Sequence, residues 1–129
     1  GIWMEKAKQN DIIFVCFGVN DINRGRTGVQ VMEDLRTIVL SLKAAGCRVI
    51  LFTVPPFDMV EQKKEYWYEV NAAIRGELGT VADAIFDFAQ ILSQEAPNEH
   101  CAKYGGHPDV EGCAIAAEVY LKEWREGKL

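Results

Sequence analysis

Two short stretches of this sequence carry side chains suited to chemistry. The first is Gly18-Val19-Asn20-Asp21, directly after the apolar run Ile12-Ile13-Phe14-Val15-Cys16-Phe17. Gly18 permits a sharp turn and close backbone approach. The Asn20 side-chain amide can donate hydrogen bonds into a crevice. The same residue types are common in strand-end turns that do nothing more, so spacing alone does not assign a function. The second is His107, which follows Gly105-Gly106 and precedes Pro108. A loop imidazole can serve as a general base near neutral pH, although a lone loop histidine is more often only that. His100 has no neighbours that suggest a role.

The elements that must position these residues alternate. Residues 2 to 9 read as the end of a helix. Residues 12 to 17 form a continuous apolar run of strand length, which suits a strand covered on both faces. Thr27-Gly28-Val29-Gln30 offers a capping box. Val31, Leu35, Ile38, Val39 and Leu42 follow at helical spacing, and Gly46 ends that helix. Val49-Ile50-Leu51-Phe52 is the second strand, stopped by Pro55-Pro56. Asp58 with Glu61 reads as the next helix start. Trp67, Val70, Ile74 and Leu78 share a face of that helix, and Gly79 closes it. Ala84-Ile85-Phe86 is a short third strand, and a loop runs from it to Pro108. Asp109 caps a last helix, with Val110, Ala114, Ala117, Leu121 and Trp124 read as its buried side.

This β-α-β-α-β-α order predicts a parallel sheet with helices on both faces and right-handed crossovers. Ligands bind such sheets beyond the carboxyl ends of the strands. Residues 18–26, residues 53–58 and the loop ending at His107 are therefore the expected active end. The Pro55-Pro56-Phe57 loop and the trio Tyr66, Trp67 and Tyr68 lie nearby, and aromatics at helical spacing read first as core.

Composition narrows the function classes. A chain of 129 residues is one domain, and 49% hydrophobic with 26% charged residues is an ordinary globular balance. The net charge of −5, with dispersed Lys and Arg, argues against nucleic-acid binding. There is no apolar run of about 18 residues, so no membrane span is expected. Gly1-Ile2-Trp3-Met4-Glu5-Lys6 does not read as a signal peptide, which points to a cytoplasmic chain. Cys16, Cys47, Cys101 and Cys113 lack metal-like spacing and read as structural thiols of a reducing compartment.

Together, the two stretches resemble blocks of a known family. Residues 11–21, ending Gly18-Val19-Asn20-Asp21, look like the Gly-x-Asn-Asp block of the SGNH (GDSL-type) hydrolases. His107-Pro108-Asp109-Val110-Glu111-Gly112 resembles their His-Pro block before the final helix. Two β-α units between the blocks fit as well. The resemblance covers essentially the whole chain but only the later part of the family's domain. It implies a three-layer α/β/α fold with a flavodoxin-like parallel sheet that lacks its first strands. It also implies hydrolysis of a small-molecule ester by a serine nucleophile, with no metal and no cofactor. Asn20 would be an oxyanion-hole donor with Gly18 shaping its turn, and His107 would be the general base.

The departures from the family are as informative. The nucleophilic Gly-Asp-Ser block is absent. Ser41 and Ser93, the only serines, lack the strand-turn-helix setting that exposes a nucleophile. The family's acid three residues before the histidine is replaced by Tyr104. A main-chain carbonyl near Tyr104, or Asp87 at the end of the third strand, is the expected orienting group for His107. Without earlier strands, residues 12–17 become an edge strand, which predicts self-association or a companion segment pairing there. The alternative is a catalytically inactive α/β module that only binds or associates. A flavodoxin-like or response-regulator-like domain ranks last, because the sequence shows no acidic phosphoacceptor cluster and no phosphate-binding turn.

Overall fold

A computed structural model of the chain describes residues 6–129. The apolar run after Asp11 forms strand β1 (Ile12–Val15), and Val49 and its neighbours form β2 (Arg48–Phe52). Ala84-Ile85-Phe86 forms β3. The three strands make one parallel sheet in the order β1-β2-β3, with Ile13 opposite Val49 and Leu51 opposite Ile85. Most of the reading of residues 2–9 as a helix end lies outside the described residues. Lys6 is helical, and Gln9 and Asn10 form a turn.

Between the strands the chain builds helices. The first, α1 (Val19–Asn23), is a short helix where a simple turn is expected. Helix α2 (Gly28–Ala44) starts at the Thr27–Gln30 capping box, both halves of which are formed. It ends at Gly46, whose φ of 83° suits glycine. Helix α3 (Glu61–Ala73) continues through a π-helical turn, Ile74–Leu78, into a last turn, Gly79–Val81. Its start differs from expectation. Val60 occupies the N-cap without a side-chain hydrogen bond, so Asp58 does not cap it. The loop after β3 holds helix α4 (Phe88–Leu92), capped by Asp87. The last helix, α5 (Val110–Arg125), is capped by Asp109, whose Oδ1 accepts from the Gly112 amide at 2.8 Å.

Alternate residues of the strands feed two apolar layers. Val15, Val49 and Leu51 meet Val31, Leu35 and Val39 of α2 and Trp67, Val70 and Ile74 of α3. Ile50 and Phe86 face the other way, against Leu129, Val119 and Tyr120, with Phe52 and Phe88 in the same cluster. Burying each large side chain contributes about 1.5–3 kcal/mol, and the interior of β2 is fully buried. The result is a three-layer α/β/α unit.

Two surfaces bear on the sequence reading. Strand β1 is the sheet edge, as expected, and Ile12 and Phe14 are half exposed although the composition of the strand suits burial on both faces. Helix α5 turns the other way from expectation. Gly112 and Ala116 are buried and Val119 and Tyr120 partly so, while Val110, Ala114, Ala117, Leu121 and Trp124 are exposed. Both sets have helical spacing. The glycine and alanine set lets the helix lie closer to the sheet, and Gly112 accommodates the Tyr104 side chain where a Cβ would meet it at 2.7 Å.

Candidate functional site

The carboxyl ends of the three strands converge on residues 53–58, and this segment is held unusually tightly. The Val54 amide donates to Asn71 Oδ1 at 2.7 Å, and Asn71 Nδ2 donates back to the Val54 carbonyl at 2.9 Å. Trp67 Nε1 donates to the Val54 carbonyl at 2.9 Å and to the Pro55 carbonyl at 3.2 Å. Asn71, Trp67 and Val54 are all buried. A segment containing Pro55-Pro56 cannot enter a ladder, so side chains of α3 satisfy its backbone instead. Trp67 is core as expected, but it also carries a positioning hydrogen bond. Asn71 escaped the sequence reading. The signal was a polar residue beside Val70 on the apolar face of α3.

One step closer to β3, Thr53 Oγ1 donates to Asp87 Oδ1 at 2.9 Å and accepts from the Ala89 amide at 2.8 Å. Arg75 holds the same carboxylate through Nε and Nη2, each at 2.8 Å. Partial burial pushes the Asp87 carboxyl up, but the Arg75 guanidinium and the Thr53 hydroxyl outweigh it and hold it below the usual carboxylate range.

Both candidate stretches flank this braced segment. At the end of β1, Gly18 adopts φ 130°, and a Cβ there would lie 2.7 Å from Val54 Cγ2. Only glycine fits this turn, by conformation and by space. The turn leads into α1, where Asn20 lies in the first helical turn with an exposed side chain. On the other flank, Gly106 approaches the Asp58 amide, 4.0 Å from where its Cβ would be. The loop 104–109 is closed by the Asp109 amide donating to the Tyr104 carbonyl at 3.0 Å. His107 sits exposed at its tip. The structure thus brings the Gly18–Asn20 turn and the His107 loop to the same end of the sheet, on either side of residues 53–58.

The groups expected to orient His107 have other partners. The Tyr104 carbonyl accepts from the Asp109 amide, and the Asp87 carboxylate accepts from Arg75, Thr53 and the Gln90 amide. Among the described residues the His107 ring makes no hydrogen bond to either. Ser41 lies within α2 and donates to the Thr37 carbonyl at 2.7 Å. Ser93 follows α4, and its hydroxyl is buried without a partner among the described residues.

Concavities accompany this end. One, of about 300 Å³, lies beside the Asn20 turn and is lined by Phe17, Asp21, Asp34 and Ile38 among others. Another, of about 700 Å³, lies past β3 and includes Tyr68, Arg75, Asp87 and Ser93. Neither is lined by Asn20 or His107. Among the described residues no group of three or more His, Cys, Asp or Glu side chains is arranged to hold a metal ion. No helix among them is long and apolar enough to cross a membrane.

The sequence model of the GDSL-like lipase/acylhydrolase family matches residues 3–115. No curated protein and no solved structure matches the chain.

Proposed function

The chain belongs to the GDSL-like lipase/acylhydrolase family, and from that premise we propose that it forms the later part of a serine ester hydrolase site acting on small-molecule esters. The carrying observation is the placement of Asn20 and His107 on either side of one braced segment at the carboxyl ends of the strands. In this reading the Asn20 amide, presented by the Gly18 turn, donates to the oxyanion that forms when an ester carbonyl is attacked. Such a donor is worth roughly 2.7–4 kcal/mol. His107 takes the proton of the attacking serine hydroxyl and returns it to the leaving alcohol. No cofactor or metal takes part.

The serine is neither Ser41 nor Ser93, because a helix-interior hydroxyl and a buried loop hydroxyl cannot reach that position. It comes from polypeptide outside these residues, which docks on the open edge of β1 at residues 12–17. By itself the 129-residue chain associates through that edge and is inactive.

Fluorophosphonate labelling followed by intact-mass and peptide analysis tests this reading. The 129-residue chain should stay unlabelled. The complete enzyme should carry the label on a serine outside these residues. Asn20→Ala and His107→Ala in the complete enzyme should each slow labelling at least ~100-fold. Label on Ser41 or Ser93, or undiminished labelling of both variants, would overturn it.

A further inference from the structure

Residues 93–102 form a loop that is closed at its base. Ser93 and Ala102 pair as an antiparallel bridge, the Gln94 amide donates to the Cys101 carbonyl at 2.9 Å, and the Lys103 amide donates to the Leu92 carbonyl at 2.8 Å. Compact surface loops of this kind often carry function. This one meets α3 where Tyr68 Oη lies 3.3 Å from Glu99 Oε2 and 3.4 Å from His100 Nδ1. Two cavities lie between the loop and α3. The cavity of about 700 Å³ has Gln94 and Glu99 on the loop side and Tyr68 and Arg75 on the other. A second, of about 600 Å³, runs from Phe57 and Asp58 to Lys64, Gln94 and His100. Gln94 lines both, so they adjoin as one trough. Its near end is at Asp58, whose amide is approached by Gly106 of the His107 loop.

The trough offers hydrogen bonds in both directions. Arg75 spends Nε and Nη2 on Asp87, and among the described residues its Nη1 has no partner. The Gln90 side chain is exposed on the same cavity. Gln94 Nε2 makes a long contact of 3.4 Å to the Ala102 carbonyl. Glu95 and Glu99 add acceptors. Ser93 lines the same space, and its hydroxyl is buried without a partner among the described residues. An orphaned hydroxyl calls for a water or a ligand atom. Arg75 itself lies in the π-helical turn Ile74–Leu78, a distortion that recurs at functional sites.

This inventory selects a ligand class. An anion would face Glu95 and Glu99, while Asp87 neutralises the Arg75 guanidinium. An ammonium would leave Arg75 and the two glutamine amides with donors and no acceptor. An alkyl chain would leave all these groups unpaired. A hydroxyl both donates and accepts, so a hydroxyl-rich ligand can pair with each of them. Tyr68, 41% exposed, supplies an apolar surface for its C–H faces. We propose that the trough is a subsite for an uncharged, hydroxyl-rich group, a sugar or polyol, and that this group is the part of the ester remote from the reacting carbonyl. The link to an ester rests on the hydrolase reading; binding of the hydroxyl-rich group does not.

The test is an NMR titration of the 129-residue chain, which needs no serine. Cellotriose, xylotriose and maltotriose are the neutral probes, and hexanoate and tetramethylammonium the comparators. At least one trisaccharide should shift the side-chain amides of Gln90 and Gln94 and the backbone amides of residues 93–102, and the comparators should not. Gln90→Ala and Gln94→Ala should each weaken binding about 3- to 10-fold. Tyr68→Phe should keep most of the affinity and Tyr68→Ala should lose about 10-fold, with unchanged circular dichroism. No shift from any trisaccharide at tens of millimolar, or shifts confined to residues outside the trough, overturns the inference. So does equal or stronger binding of hexanoate or tetramethylammonium, which would assign the trough to an acyl chain or a cation. In the complete enzyme, Gln90→Ala should raise KM for the acetylated form of the bound trisaccharide about 3- to 10-fold and leave fluorophosphonate labelling unchanged. An unchanged KM would overturn the link to the ester. Saccharide binding together with undiminished labelling of Asn20→Ala and His107→Ala would support the subsite and overturn only the hydrolase reading.

Discussion

Replacing Asn71 with leucine tests whether the brace on residues 53–58 holds the site together. The two side chains share their branching, but leucine is bulkier at this fully buried site, so overpacking adds to the loss of the hydrogen bonds. Val54 is fully buried. Its amide loses the 2.7 Å bond to Asn71 Oδ1 and has no water to replace it, which costs about 1–3 kcal/mol. Its carbonyl loses Asn71 Nδ2 but keeps the Trp67 indole, a further loss of about 0.5–1.5 kcal/mol. The hydrogen bonds alone account for about 2–4 kcal/mol, a large share of the roughly 5–15 kcal/mol that stabilises a typical domain. Urea unfolding at one fixed protein concentration should show the midpoint falling by about 1–2 M or more with an unchanged m-value.

Asn71→Asp is the companion variant. Burial raises the folded-state pKa of that carboxyl, because only its protonated form can donate to the Val54 carbonyl. The folded state then binds the proton more tightly than the unfolded state. The variant keeps its stability below the ordinary carboxylate pKa of about 4 and loses it as pH rises through the folded value. Two results would refute the reasoning. One is an Asn71→Leu protein within about 0.5 kcal/mol of the parent, smaller than the cost of one orphaned amide. The other is an Asn71→Asp protein whose pH dependence matches the parent.

Three further outcomes follow from the same geometry. Gly18→Ala should destabilise by about 1–3 kcal/mol, because φ is 130° and the new Cβ would press on Val54 Cγ2. A parent-like urea midpoint would disprove that close approach. Asp109→Ala removes the cap on the Gly112 amide and should cost about 1 kcal/mol by the same measurement, whereas Asp109→Asn should retain most of it. Asp83 and Asp87 both titrate below the usual carboxylate value. Burial raises each, but Lys43 and the Val49 amide outweigh it at Asp83, and Arg75 and Thr53 outweigh it at Asp87. Their stabilising effect is therefore present above about pH 4 and is lost as pH falls through the lowered folded values. In an acid titration followed by circular dichroism, Asp87→Asn should flatten that loss, and an unchanged profile would count against the assignment.

The division between what was legible in the sequence and what was not follows the range of the forces involved. The three strands, the capping box at Thr27, the Gly46 stop and the Asp109 cap were legible because each depends on a few neighbouring residues. The parallel sheet followed from the alternation of elements, since short connections and right-handed crossovers leave little choice. The Gly18–Asn20 and His107 stretches were legible as a pair, and the family match spans both. Helices α1 and α4 were not, because five residues are too few to show a helical period.

Tertiary packing alone decided three things. It set Asn71 against Val54, a contact across seventeen residues that no local pattern announces. It committed Asp87 to Arg75 and Thr53, away from His107. It chose which of two apolar stripes on α5 meets the sheet. Periodicity states how often a face recurs along a helix. Which face is buried depends on what it meets across the fold, here Gly112 against the Tyr104 side chain and Val119 and Tyr120 against Ile50 and Phe86.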